Sequence, residues 1–163
     1  MDDARLIYRR TKNYYGEGDG GRSIPKGWKA LGEGGYRHCY LSPDKVVYKV
    51  CYDYYTAEEA ELNENELEIL TYRDYRSGKL SFDGWRLART KGYRFMDGDL
   101  EITVNGQEYI SGVVEESPAP GPTYKFYTDY LQKAFEAFAL EDWHNGNYLL
   151  AKNGKRIIID MAR

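Results

Sequence analysis

Three prolines and a glycine fall within Glu116–Pro122, ESPAPGP, and no helix or strand can run through them. The chain is therefore read in two parts. Upstream, WKALGEGGYRHCYLSPDKVVYKVCY has the alternation of an antiparallel meander: a first strand from Trp28, a second over Arg37–Leu41, the turn Ser42-Pro43-Asp44-Lys45 and a third over Val46–Tyr52. A helix follows, with Thr56 as N-cap, Glu59 three residues on, and Leu62, Leu67, Ile69 and Leu70 spaced for one face. LEITV and EYISGVV flank Asn105-Gly106, which predicts a tight hairpin there. Downstream, Tyr127, Leu131, Phe135 and Phe138 predict an amphipathic helix, and YLLA and RIIID predict a second hairpin about Lys152-Asn153-Gly154-Lys155.

These periods predict an α+β fold: a loose glycine-rich arm over residues 1–27, a strand-rich part over 28–115, a linker over 116–122 and a smaller part over 123–163. With 163 residues, 42% of them apolar, and a net charge of -3, the chain can bury a real core and has no basic surface for nucleic acid. No stretch approaches the roughly 18 apolar residues of a spanning helix, and MDDARLIYRR lacks the apolar run of a signal peptide, so the expectation is a cytoplasmic protein with no membrane partner. Cys39 and Cys51 form neither a disulfide framework nor a zinc motif and are read as reduced core residues. The 17 tyrosines suit strand and helix edges, where a ring is buried and its hydroxyl stays wet.

The chemistry concentrates in DWHNGNYLL, Asp142–Leu150, where an acid precedes an amide by five residues and the second hairpin leads on to Asp160. That hairpin turns the chain back, so that an Asn at its entrance and an Asp at its exit can face one metal. LGEGGYRHC, VVYKV, ENELEIL, LEDWHNGNYLL and IIIDMA together resemble, in order and spacing, the glycine loop, strand lysine, helix glutamate, catalytic loop and metal-binding aspartate of the protein-kinase fold. The resemblance covers about Leu31–Ala162. It implies an antiparallel N-lobe sheet with one long helix and a truncated C-lobe of one helix, catalytic loop and hairpin. It further implies ATP and Mg²⁺ as cofactors, with Asp142 orienting and deprotonating the acceptor and Lys49 holding the α and β phosphates. Glu66 would hold Lys49, and Asn147 and Asp160 would bind the metal. Gly32, Gly34 and Gly35, with Glu115 and Glu116 in the segment Val114–Ser117, would hold the nucleotide.

The departures are as informative. Arg37 stands for the loop's third glycine, either as an exposed strand arginine or as a phosphate ligand, and Leu140 stands where an orienting His is usual. Met161 and Ala162 replace Phe and Gly. His144 makes the loop D-x-H-x-x-N, similar to that of aminoglycoside and other small-molecule kinases; it serves as a brace for the loop, with Trp143 packing beneath the site. The sequence ends three residues after Asp160, so a nucleotide half-site is legible and an acceptor site is not. The length is similar to that of short bacteriophage-encoded kinase-like proteins, which would place it in the bacterial host cytoplasm. Two readings stand: a minimal phosphotransferase acting on a protein hydroxyl or on itself, and a catalytically silent, pseudokinase-type nucleotide-binding module. A partly uncovered helix over Tyr127–Phe138 would favour a homodimer.

Overall fold

A β-sheet must cover both its faces, and the sheet built by the first half of this chain covers them with opposite chemistries. The computed structural model describes residues 2–12, 23–33, 36–51 and 63–161. In chain order its elements are α1 (Asp2–Thr11), β1 (Lys29–Glu33), β2 (Arg37–Leu41), β3 (Val46–Cys51), α2 (Glu64–Arg76), β4 (Trp85–Leu87), β5 (Thr90–Asp97), β6 (Leu100–Glu108), β7 (Gly112–Val113), α3 (Pro122–Ala137), a 3₁₀ turn (Asn145–Asn147), β8 (Tyr148–Ala151) and β9 (Arg156–Ile158). The fold is α+β. It divides into two compact units, Met1–Ile69 with Arg89–Tyr109, and Leu70–Ala88 with Ile110–Arg163.

The first unit is a five-stranded antiparallel sheet in the order β1-β2-β3-β6-β5. Alternate residues point to opposite faces. On one face Tyr40, Tyr48, Val50, Phe95, Ile102 and Val104 form an apolar core with Ala4, Ile7 and Tyr8 of α1. The loose arm expected over residues 1–27 is thus overturned for its first part: Asp2–Thr11 is a helix with a buried side. Its acids lie in the first turn and Arg9 and Arg10 in the last, as the helix dipole favours. Asp97 anchors it, accepting from Tyr8 Oη at 2.9 Å and Lys12 Nζ at 2.6 Å; these two donors hold its carboxyl below the usual range.

The opposite face is polar and buried, carrying Arg37, Lys49, Thr103, Asn105 and Gln107. It meets α2. Thr56, Glu59 and Leu62, expected to open this helix, lie outside the described residues; the described helix starts after Asn63, whose Oδ1 accepts the Glu66 amide at 3.0 Å as an N-cap. The apolar face expected through Leu67, Ile69 and Leu70 is only half-buried. The fully buried positions are Asn65, Glu68 and Thr71, which recur every third residue.

The same contact overturns the hairpin at Asn105-Gly106. β6 runs straight through that pair, and the chain reverses at Gly98-Asp99, where Gly98 has φ 62°. Asn105 is held in the strand because its amide donates to the Asn65 carbonyl at 2.9 Å and to Glu68 at 2.7 Å. Gly106 is there for clearance: a Cβ would sit 2.8 Å from the Tyr93 ring. The turn after β2 forms as expected, with Lys45 at φ 63° and the Ser42 hydroxyl accepting the Val46 amide at 3.2 Å. Both cysteines are free, and burial pushes the Cys51 thiol up to about 11.

The second unit has a four-stranded sheet in the order β4-β9-β8-β7, with β4 parallel to β9 and the expected β8–β9 hairpin antiparallel. Its core joins Trp85 and Leu87 of β4, Leu131, Ala134 and Phe135 of α3, and Phe138, Leu140, Tyr148, Ile158 and Met161. The inner face of α3 is therefore covered, which removes the uncovered-helix reason for a homodimer. The expected boundaries also shift. Residues 70–88 and 110–115 belong to this unit because β4 pairs with β9 and β7 with β8, and residues 116–122 lie within it, not between two lobes. Pro122 is at the start of α3, where its missing amide hydrogen costs nothing. Among the described residues no helix is long and apolar enough to cross a membrane.

The end of α3 sets the loop that follows. Leu140 donates to the Phe135 carbonyl at 3.0 Å and Ala139 to that of Glu136 at 2.9 Å, a Schellman closure. Phe135 and Leu140 share the core beneath it. Ala139 must take φ 58° to make this turn, a conformation that costs a residue with a Cβ about 1 kcal/mol. Ala139→Gly should therefore stabilise the fold by ~0.5–1 kcal/mol, net of the added unfolded-state entropy, read as a raised denaturation midpoint at unchanged slope.

Candidate functional site

In the first unit the centre is Glu68, fully buried on α2. Lys49 Nζ lies 2.5 Å from its Oε1, and Arg37 reaches it through Nη1 at 3.2 Å and Nη2 at 3.3 Å. Asn105 Nδ2 donates to Oε2 at 2.7 Å. Asn65, one helical turn earlier, accepts from Arg37 at 3.0 Å and donates to the carbonyls of Lys49 at 2.8 Å and Thr103 at 2.9 Å. The expected lysine–glutamate pair thus forms with a different glutamate. Glu66 is half-buried, and among the described residues its carboxylate accepts from the Thr103 hydroxyl at 3.4 Å. The cause is helical rotation: Asn63 caps the helix with Glu66 in its first turn, and two further residues turn the helix by about 200°. No signal in the sequence separates Glu68 from Glu66, two residues away on the same helix.

Arg37 is neither exposed nor turned to solvent as a phosphate ligand; only 6% of its surface is accessible and its guanidinium is engaged by Glu68 and Asn65. Gly32 lies on β1 opposite Cys39, next to a bulge at Leu31, and nothing stands within 4 Å of where its Cβ would be. Gly34 and Gly35 lie outside the described residues.

In the second unit the loop Asp142–Asn147 is built from inside out. Asn147 is buried, and its Nδ2 donates to the Asp142 carbonyl at 2.9 Å and to Asp142 Oδ2 at 3.0 Å. With its donors spent on the acid, Asn147 has Oδ1 left to offer a cation. The hairpin returns as expected: the amides of Ile159 and Asp160 approach the Asn147 carbonyl at 3.0 and 3.4 Å. His144 caps the 3₁₀ turn, its Nδ1 accepting the Gly146 amide at 3.0 Å. Trp143, expected to pack beneath the loop, is exposed instead.

Glu115 has a task the sequence did not disclose. Its carboxylate accepts from Arg156 Nε at 2.8 Å, Arg156 Nη2 at 2.7 Å and Tyr148 Oη at 2.7 Å, and its carbonyl accepts from Asn145 at 3.3 Å. It ties β8, β9 and the loop to one residue. Glu116 is exposed. The Arg156 bonds hold the Glu115 carboxyl below the ordinary range against the opposing effect of burial, and burial pushes the Tyr148 phenol well up. Among the described residues no three or more His, Cys, Asp or Glu side chains gather as a metal cluster. Of the two residues expected to bind a metal, Asn147 and Asp160, the structure brings the backbone amide of the second to the carbonyl of the first. No protein-family model matches this chain, and neither does any curated protein.

Two predictions follow from these networks. Glu68→Gln removes the carboxylate shared by two buried cations and should cost about 3–5 kcal/mol, whereas Glu66→Gln should stay within about 1 kcal/mol; urea unfolding of both reads which glutamate the sheet needs. Glu115 has a folded pKa below its unfolded one, so its stabilisation is present above the ordinary value of 4.5 and is lost as pH falls through the folded value. Glu115→Gln should lower stability at pH 7 by about 1–2 kcal/mol, and the gap to the unsubstituted protein should narrow as pH drops below about 4.5 in thermal melts.

Proposed function

We propose that this chain is a minimal kinase-like phosphotransferase, dependent on ATP and Mg²⁺, that moves a γ-phosphoryl group onto a hydroxyl of a protein or of the chain itself. The observation that carries it is the Asp142–Asn147 bond pair. A buried amide commits its nitrogen to an exposed acid and keeps its oxygen, while the following hairpin returns the Asp160 backbone to the same residue. This is the arrangement that phosphoryl transfer asks of a protein, which must position and neutralise more than it must react.

Asn147 Oδ1 and the Asp160 carboxylate are hard oxygens of the kind Mg²⁺ prefers; they would hold the ion, which would supply charge neutralisation for the phosphates. Asp142 accepts the proton of the acceptor hydroxyl as the new O–P bond forms and the bond from the γ-phosphorus to the bridging oxygen breaks, with ADP as leaving group. In the first unit Lys49 is fixed by Glu68 on a central strand. A second reading is favoured by one observation: Lys49 is only 4% exposed, which suits a silent nucleotide-binding module.

The two aspartates separate these readings. Asp142→Asn should leave Mg²⁺-dependent nucleotide binding, measured as a thermal shift with millimolar ATP, nearly intact while label transfer from γ-labelled ATP falls by about 10²- to 10⁴-fold. Asp160→Asn should weaken both. Equal, mild effects of both substitutions would refute the assignment, and a thermal shift without any transfer by the unsubstituted protein would establish the silent module.

A further inference from the structure

We propose that His144 is a positioning residue for Asp142, acting as a fixed-tautomer donor that holds one carboxylate oxygen and leaves the other for the acceptor hydroxyl. The inference rests on the phosphotransferase reading above and assigns the ring a role beyond bracing the loop. It starts from the two nitrogens. Nδ1 accepts the Gly146 amide at 3.0 Å, which it can do only as a bare nitrogen, so the neutral ring carries its proton on Nε2. Nε2 stands 3.4 Å from Asp142 Oδ2, close enough to act on that oxygen electrostatically.

Asp142 Oδ2 therefore has two nitrogen neighbours, Asn147 Nδ2 at 3.0 Å and His144 Nε2 at 3.4 Å. Oδ1 has no partner among the described residues and is the oxygen that remains to take a proton. The acid itself is not buried: the Asp142 side chain is 74% accessible and that of His144 52%. A carboxylate so placed rotates freely unless one oxygen is pinned. The Asn147 amide pins it from the buried side, and the imidazole stands against the same oxygen from the exposed side. Gly146 belongs to the device, because a Cβ there would lie 2.9 Å from both Cε1 and Nδ1 of the ring and displace it. The residue two after the acid is thus held to the loop by Nδ1 and set beside the acid by Nε2.

Two substitutions take the ring apart. His144→Asn keeps an acceptor where Nδ1 was, and so the cap, but has no atom at Nε2. His144→Gln places an amide donor near Nε2 and loses the cap. With γ-labelled ATP, Mg²⁺ and the full chain, His144→Asn should keep the melting temperature, the nucleotide-induced thermal shift and the KM for ATP, and lose about 10- to 100-fold in kcat. His144→Gln should recover most of that kcat despite a lower melting temperature. Unchanged kcat in His144→Asn would overturn the inference, and so would a His144→Gln that is as slow as His144→Asn while still folded. ¹⁵N NMR of the imidazole gives a readout independent of activity: an Nε2–H tautomer whose proton resonance moves in Asp142→Asn is expected, and an Nδ1–H tautomer would overturn the proposal. Absence of transfer by the unsubstituted protein would sink the phosphotransferase reading alone, and the tautomer would still decide whether the ring is built as described.

Discussion

The buried carboxylate of Glu68 is the constraint on which the first unit depends. A charge removed from water is tolerated only when opposite charges and hydrogen bonds replace what water gave, and breaking such a group costs several kcal/mol. Glu68 is satisfied by residues from three neighbouring strands: Arg37 on β2, Lys49 on β3 and Asn105 on β6. One carboxylate therefore fixes the rotation and height of α2 over the sheet. It also explains why one face of the sheet carries long polar side chains while the other, under α1, is packed with tyrosines and aliphatics. Buried polar networks are exacting in geometry in a way that apolar contacts are not.

Glu115 performs a comparable task in the second unit with less burial. Apolar packing of Trp85, Phe135, Phe138 and Tyr148 holds α3 to the sheet, but such packing does not by itself fix an exposed loop. The loop is fixed by bonds of known direction, from Asn145 to the Glu115 carbonyl, from Asn147 to Asp142, and from Gly146 to His144. The chain thus presents an accessible acid on a support whose key amide is buried. A group that must meet a substrate needs exposure, and its aim has to come from neighbours that are not exposed.

The elements that the sequence made legible were those governed by local chemistry. The Asn153-Gly154 hairpin formed, as did the turn at Ser42–Lys45 and the α3 pattern through Leu131 and Phe135, because turn geometry and a 3.6-residue period are properties of a few consecutive residues. Asn105-Gly106 reads by the same rules as a turn and is strand, because Asn105 gains more by donating to Glu68 than a turn would give it. The segment Asp2–Thr11 reads as an arm when taken together with the glycine-rich stretch that follows it; its buried residues Ala4, Ile7 and Tyr8 acquire meaning only against a sheet whose strands come later in the chain.

The candidate site divides along the same line. Asp142, Asn147 and the hairpin that brings the chain back at Asp160 were determined by the sequence, since five residues of loop and one tight turn leave little freedom in where those groups lie. The partner of Lys49 was decided by tertiary structure alone. Glu66 and Glu68 are two residues apart on one helix and equal in chemistry, yet about 200° of helical rotation separates them. Only the N-cap at Asn63 and the packing of α2 on three strands choose which one turns inward. Period and turn type are set by neighbours in sequence, whereas the direction in which a helix aims a given side chain is set by whatever that helix packs against.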